Sequence, residues 1–400
     1  MKKLLYFVCC GAVMMLSACE FVDNAPDFDG EKGTVSLRLD EVAEILSQIP
    51  LEEAHVREVH DAVSSSSSNG YDEEYTMQCL FDAPGSGVGD AETKAQYGYP
   101  NPLRDLIEEY VRRKTMTKSS SSGPEDFLRA LSSSDLQIYW PFSEDWDGET
   151  MPIITFDPED GAYNNIGYRL VLNDDGSRAA EEVIVDEELA ASVPVWVVNR
   201  NSDAGYTSLE MLRRDDPQWG DGGGTIIVKP SSVSGCLSKA GSSRSLILKD
   251  FTMRRNYDSW FAGASEFFVK IGYLDDFTAV TEAELRLFNP LVTDFMVVVK
   301  RKHLDIPQKL DVIMMTDWSS QMTSSAFMIT EDDGGTQTEW TCRAKVFVAS
   351  KSYGIEISLP IKTRDEIVWR GELASQWLES NEDRTWSFGD VDLTFGIVEY

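Results

Sequence analysis

The chain has 400 residues, 42% of them hydrophobic, and carries 36 Lys and Arg against 68 Asp and Glu, a net charge of −32. Such a field repels phosphate backbones and anionic headgroups, which excludes DNA and RNA as partners. The apolar share over this length suffices for two or three packed domains, so a hydrophobic core must hold the body.

The first element is a leader. Met1-Lys2-Lys3 is basic, Leu4 to Leu16 is apolar, and Leu16-Ser17-Ala18-Cys19 is a run of small residues ending in cysteine. These are the parts of a secretory signal peptide, expected over 1–18. The apolar run is shorter than the about 20 residues a membrane span needs. Loss of Lys2 and Lys3 with the leader takes the balance from −32 to −34.

Leu16-Ser17-Ala18-Cys19 resembles the lipobox of bacterial lipoproteins. The resemblance implies a chain cut before Cys19, with lipid on its thiol and an acyl group on its new amine. Several acyl chains on one residue anchor stably, each buried methylene contributing about 0.8 kcal/mol. The membrane is then a partner through the lipid anchor, and the expected location is the outer membrane or cell surface. Residues 19–34 read as a lipidated acidic tether, with Glu20, Asp23, Asp27 and Asp29 but no periodicity. This stretch is similar to the surface-export signals of Bacteroidetes lipoproteins.

Residues 35–134 read as a mixed α/β region with serine-rich loops. Val35 to Leu39 alternates like a strand, and Asp40 is placed to cap a helix over Val42 to Leu46 that Pro50 stops. A second helix is expected over Leu51 to Val63. The serine run Ser64–Ser68 reads as a loop, because burial cannot offset its ordering entropy. Met77 to Phe81 is a candidate strand. Leu103 to Arg113 is an amphipathic helix, and Asp126 to Leu131 a short one.

Residues 135–240 read as a β-rich domain. Its candidate strands are Leu136–Trp140, Ile153–Phe156, Tyr168–Leu172, Val183–Val185 and Val195–Val198, separated by Asp/Asn/Gly turns. A C-terminal β-sandwich is expected over 241–400. Its candidate strands are Leu246–Phe251, Glu266–Ile271, Asp294–Val299, Leu310–Met315, Phe327–Thr330, Arg343–Val348, Ile355–Leu359, Ile367–Trp369 and Leu393–Val398, with one helical pattern over Leu373 to Leu378. The expected fold is therefore mainly β, with a smaller α-containing N-terminal region and two antiparallel β-sandwich or jelly-roll-like domains.

Cysteine and histidine limit the chemistry. Of six cysteines, Cys9 and Cys10 leave with the leader and Cys19 takes lipid, so Cys79, Cys236 and Cys342 remain, an odd number without a metal pattern. His55 and His60 stand five apart, which turns them about 140° from each other on a helix, whereas zinc ligands want spacings of three or four. His60-Asp61 lies beside serines, but no Gly-x-Ser-x-Gly elbow is present. No catalytic residue is assigned.

Calcium is the cofactor the residues suggest, since it takes oxygen ligands from loops. Candidate loops are Glu144–Glu149, Asp157–Asp160 and Glu331–Gly335, with Asp145, Asp147, Glu149, Asp332 and Asp333 as candidate ligands. Ordinary β-turn chemistry accounts for Asp-Gly clusters equally well. Tyr257–Phe261 and Glu331–Gly335 are placed to meet at one end of the second sandwich, an arrangement similar to calcium-dependent lipid-binding sandwich domains. Among ten tryptophans, Trp146, Trp219 and Trp260 fall in expected loops and are candidates for stacking on sugars or anchoring a protein. Trp196 and Trp369 fall in strands and read as core.

Lipobox, acidic tether and β texture together resemble uncharacterised lipoproteins of gut Bacteroidetes, many of which serve glycan uptake or surface assembly. The resemblance implies a non-catalytic binding or assembly module for glycan or protein ligands. The alternative is a secreted hydrolase using carboxylates or a calcium site on a β scaffold.

Overall fold

In a computed structural model, residues 37–82, 99–115, 123–172, 178–201, 208, 210, 211, 214 and 244–399 are described. They belong to one unit, Ser36–Tyr400. Cys19, the tether, Trp219 and Cys236 lie outside them, as does the start of the strand expected at Val35.

The first helix, α1 (Leu39–Gln48), buries Leu39, Val42, Ala43, Ile45 and Leu46, the three-to-four spacing of one face. Arg38 rather than Asp40 occupies the N-cap. Asp40 sits inside the first turn, bonded to Arg38, where a carboxylate favours the helix dipole. The helix stops at Ile49, which is extended because Pro50 follows.

In α2 (Glu53–Ser68) the structure corrects the sequence reading, for the helix runs through the five serines. Serine costs a running helix only about 0.5 kcal/mol per residue, and the apolar face Val56, Val59, Val63 has already nucleated it. Ser68 Oγ donates to the Ser64 carbonyl, and Asn69 N donates to the Ser65 and Ser66 carbonyls, which closes the last turn. Strand β1 (Glu74–Thr76) follows.

The segment expected as a strand at Met77 is a short helix, α3 (Met77–Phe81). Thr76 Oγ1 accepts from Cys79 N, and Met77 and Leu80, three apart, are the buried pair. The expected helices at Leu103 and Asp126 are α4 (Leu103–Thr115) and α5 (Pro124–Ser132). Among the described residues no helix is long and apolar enough to cross a membrane.

The strands that follow are β2 (Leu136–Tyr139), β3 (Ile153–Phe156), β4 (Asn164–Leu172), β5 (Arg178–Asp186) and β6 (Val195–Arg200), with a short helix α6 (Glu187–Ala190) between the last two. They form one sheet in the order β1-β2-β6-β3-β4-β5, antiparallel except where β3 and β6 run parallel. Side chains alternate between its faces. Ile138, Trp140, Ile154, Trp196 and Val198 join the helices in one core. Tyr139, Ile153, Val195 and Val197 point the other way. Residues on both sides of position 135 thus share a core, and burial on both faces explains the unbroken apolar run Val195–Val198.

The C-terminal strands are β7 (Arg244–Met253), β8 (Ser265–Tyr273), β9 (Leu291–Val299), β10 (Gln308–Met315), β11 (Met322–Glu331), β12 (Gln337–Val348), β13 (Lys351–Lys362), β14 (Glu366–Ala374), β15 (Thr385–Phe388) and β16 (Val391–Glu399). Two short helices, α7 (Glu282–Leu285) and α8 (Ser375–Ser380), interrupt them. One sheet has the order β10-β7-β16-β15; the other has β13-β12-β11-β8-β9, with β14 also on β11. Their inner faces meet in a single core, where Leu248 and Phe251 of β7 and Leu393 of β16 join Phe267 and Val269 of β8 and Phe327 of β11. The fold is mainly β, with N-terminal helices and several antiparallel sheets.

Candidate metal centre at the root of the docking loop

The loop 254–264 joins β7 to β8 and docks on the open face of the N-terminal sheet. Trp260 is 2% exposed and Phe261 0%, and both pack with Tyr139, Ile153, Val195 and Val197. Trp260 Nε1 donates to the Tyr163 carbonyl at 3.0 Å. Asn199 Nδ2 donates to the carbonyls of Phe261 (2.9 Å) and Ala262 (2.7 Å). Ala264 N donates to Asp72 Oδ2 at 2.9 Å. Gly263 has φ +124, and a Cβ there would stand 2.5 Å from the same oxygen, so this close approach requires glycine. Trp260, expected as an exposed platform, is a plug between the N-terminal sheet and the root of the C-terminal strands β7 and β8.

At the root of this loop Asp258 meets the end of β11. One oxygen from each of Asp258, Glu331 and Asp333 lies within 4.8 Å of the others. The sequence folds this way because β11 ends at Glu331, where Asp332 N still donates to the Glu266 carbonyl. Gly334 (φ +72) and Gly335 (φ +102) then turn the chain, with Gly334 N donating to Asp332 Oδ1. The turn separates two neighbours that sequence reasoning grouped. Asp332 is buried and paired with Lys362, whereas Asp333 is exposed and faces Asp258 and Glu331.

The electrostatics of the cluster are strained. Glu331 is 1% exposed, and Glu331 Oε1 and Asp258 Oδ2 are buried without a hydrogen-bond partner outside the cluster among the described residues. Burial, then a hydrogen bond from protonated Glu331 to Asp258 and the charge of that group, pushes the Glu331 pKa far up. Burial also raises those of Asp258 and Asp333. The nearby Arg301 opposes the rise at Asp258, but its guanidinium donates to both oxygens of Glu187 and to the Asp258 carbonyl. A carboxylate pair acting on a glycosidic bond needs room for a sugar between groups about 5–9.5 Å apart. The burial of Glu331 suits the holding of a cation instead.

The other sequence-derived candidates stand apart from this cluster. Asp145 ends a single 3-10 turn, Ser143–Asp145. Asp147 is occupied by its own turn: Oδ1 accepts from Glu149 N (2.9 Å) and Thr150 N (2.8 Å), and Oδ2 accepts from Thr150 Oγ1 (2.5 Å). These bonds pull its pKa down to about 2. The Glu149 side chain is exposed. Trp146 is half-buried between the rings of His60 (5.2 Å) and Trp140 (5.5 Å), and its Nε1 donates to the Thr150 carbonyl. His55 Nδ1 accepts from Glu52 N in the capping box of α2. Asp258 and Glu331 were legible as members of two loops at one sandwich end, but their contact was not. In comparisons with known proteins, no protein-family model, no curated protein and no solved structure matches this chain.

Proposed function

We propose that this chain is an exported lipoprotein, held at the outer membrane or cell surface by lipid on Cys19, whose acidic body is a non-catalytic binding or assembly module. Leu16-Ser17-Ala18-Cys19 supports the anchor. The observation that carries the binding role is a pair of exposed isoleucines on the outermost hairpin of the N-terminal sheet, with an exposed tyrosine just before it. Tyr163, Ile166 and Ile184 are 79%, 42% and 64% exposed, and Ile166 and Ile184 are cross-strand partners. β5, which carries Ile184, ends the strand order. Exposed apolar side chains beside a strand edge that no other strand covers among the described residues suit a partner that adds a strand, which favours a protein ligand over a glycan.

The test presents the soluble body, residues 20–400, to a glycan array and to purified envelope proteins. Ile184→Lys is expected to weaken capture about tenfold or more, with the melting temperature unchanged. Equal capture by variant and wild type refutes the pair as the contact surface, and measured turnover of any captured ligand refutes the non-catalytic reading.

A further inference from the structure

We propose that Asp258, Glu331 and Asp333 bind one calcium ion, which fastens the root of the docking loop to the end of β11. Three carboxylate oxygens lie within 4.8 Å of one another. Oxygens this close come within reach of one ion of calcium–oxygen distance about 2.4 Å after small side-chain shifts, which a loop and a strand end allow. Magnesium demands near-ideal octahedral geometry and gives up its water reluctantly, which suits three protein carboxylates less well, whereas calcium tolerates irregular oxygen sets. The all-oxygen donor set does not suit zinc.

The second observation is independent of the clustering. Glu331, at 1% exposed, and Asp258 each hold a buried oxygen that no donor outside the cluster satisfies among the described residues, and without an ion only a proton shared between the two carboxyls joins them. Buried polar atoms are ordinarily bonded, and a buried carboxylate without a donor is the group a cation completes. Two neighbouring cations are committed elsewhere, Lys362 to Asp332 and Arg301 to Glu187 and a main-chain carbonyl, while Arg364 acts on Asp333 at the exposed side. The exposed Asp333 leaves one side of the site open to solvent, so an ion can arrive and keep water in its remaining positions.

The consequence lies in the loop. Asp258 stands two residues before Trp260 and three before Phe261, the side chains buried on the N-terminal sheet. An ion at Asp258 shortens the free length of that loop and holds the plug in register.

The test is calcium calorimetry on the mature chain in detergent, at physiological salt with excess magnesium, paired with terbium luminescence excited through tryptophan. Wild type is expected to bind one ion at a site that Glu331→Gln removes and Asp333→Asn weakens about tenfold or more. Chelator should lower the melting temperature of wild type and leave that of Glu331→Gln unchanged. Asp333 is exposed, so its variant reports binding without a risk to folding. The proposal is overturned if wild type takes up no calcium, if both variants bind it as wild type does, or if magnesium displaces it at equal concentration.

Discussion

A chain carrying Trp260→Ala is expected to lose about 3–5 kcal/mol of stability. The residue is 2% exposed, its ring lies 3.9 Å from that of Phe261, and its Nε1 bonds the Tyr163 carbonyl. Truncation leaves a cavity between the N-terminal sheet and the root of β7 and β8, and orphans that carbonyl. It also uncovers the sheet face formed by Tyr139, Ile153, Val195 and Val197, which has no other apolar cover within its cluster than Phe261 and residues of the N-terminal region itself. Urea denaturation followed by tryptophan fluorescence measures the loss. We expect the single transition of wild type to split into two, as the N-terminal sheet and the sandwich lose their shared contact. A loss below about 1 kcal/mol with one transition would show that the loop only rests on the sheet.

With chelator present, so that no bound ion contributes, stability is expected to rise as pH falls from 8 to about 5.5. Among the buried carboxylates outside the metal centre, two are pushed up to about 7: Glu58 by burial, against hydrogen bonds from Leu103 N (2.7 Å) and Tyr75 Oη (3.4 Å), and Asp72 by burial and then Glu73, against Ala264 N and Lys300. Arg104 and Asp105 act on Glu58 in opposite directions. Tyr139 shares the field of Asp72. In the unfolded chain such groups titrate near 4. A folded pKa above the unfolded one means that the folded state holds the extra proton. That contribution is complete below about pH 4 and is lost as pH rises through about 7. The loss is on the order of 4 kcal/mol for each group.

Asp72→Asn is expected to raise the melting temperature at pH 8, to change little at pH 5, and to flatten the slope between them. Its amide keeps an acceptor for Ala264 N and turns a donor toward the side where Asp72 Oδ1 has no partner among the described residues. Glu58→Gln should behave alike. At the acid limit the trend reverses, since Asp147, held near 2, and Asp392, held low by Ser387 and Arg254, then take protons that break their bonds. A wild-type melting curve, taken with chelator, that improves from pH 5.5 to 8 would contradict the assignment.

The sheet strands were the most legible part of the fold. Ile153–Phe156 was expected and found with the same bounds, and most C-terminal strands were found longer than the apolar runs that signalled them. Ladder pairing carries polar residues such as Gln337 and Lys351 into strands, which periodicity alone stops short of. The four-residue strand β15 left no signal, because three of its residues are exposed. The serine run misled because propensity was weighed without the helix that precedes it. Trp260 misled for a related reason: a loop is ordinarily exposed, and nothing in Tyr257–Phe261 says that the N-terminal sheet covers it. The metal centre was half legible. Strand ends showed that the two acidic loops share a sandwich end, but only the turn at Gly334 decides that Asp333 joins Asp258 while Asp332 pairs with Lys362.

The anchor is the claim on which compartment and partners rest, and intact-mass analysis of the protein from fractionated cells tests it most directly. The expected species is membrane-bound, begins at Cys19, and carries a diacylglyceryl thioether with an acylated amine. A water-soluble chain that retains Met1 and an unmodified sulfur at position 19 would contradict the account.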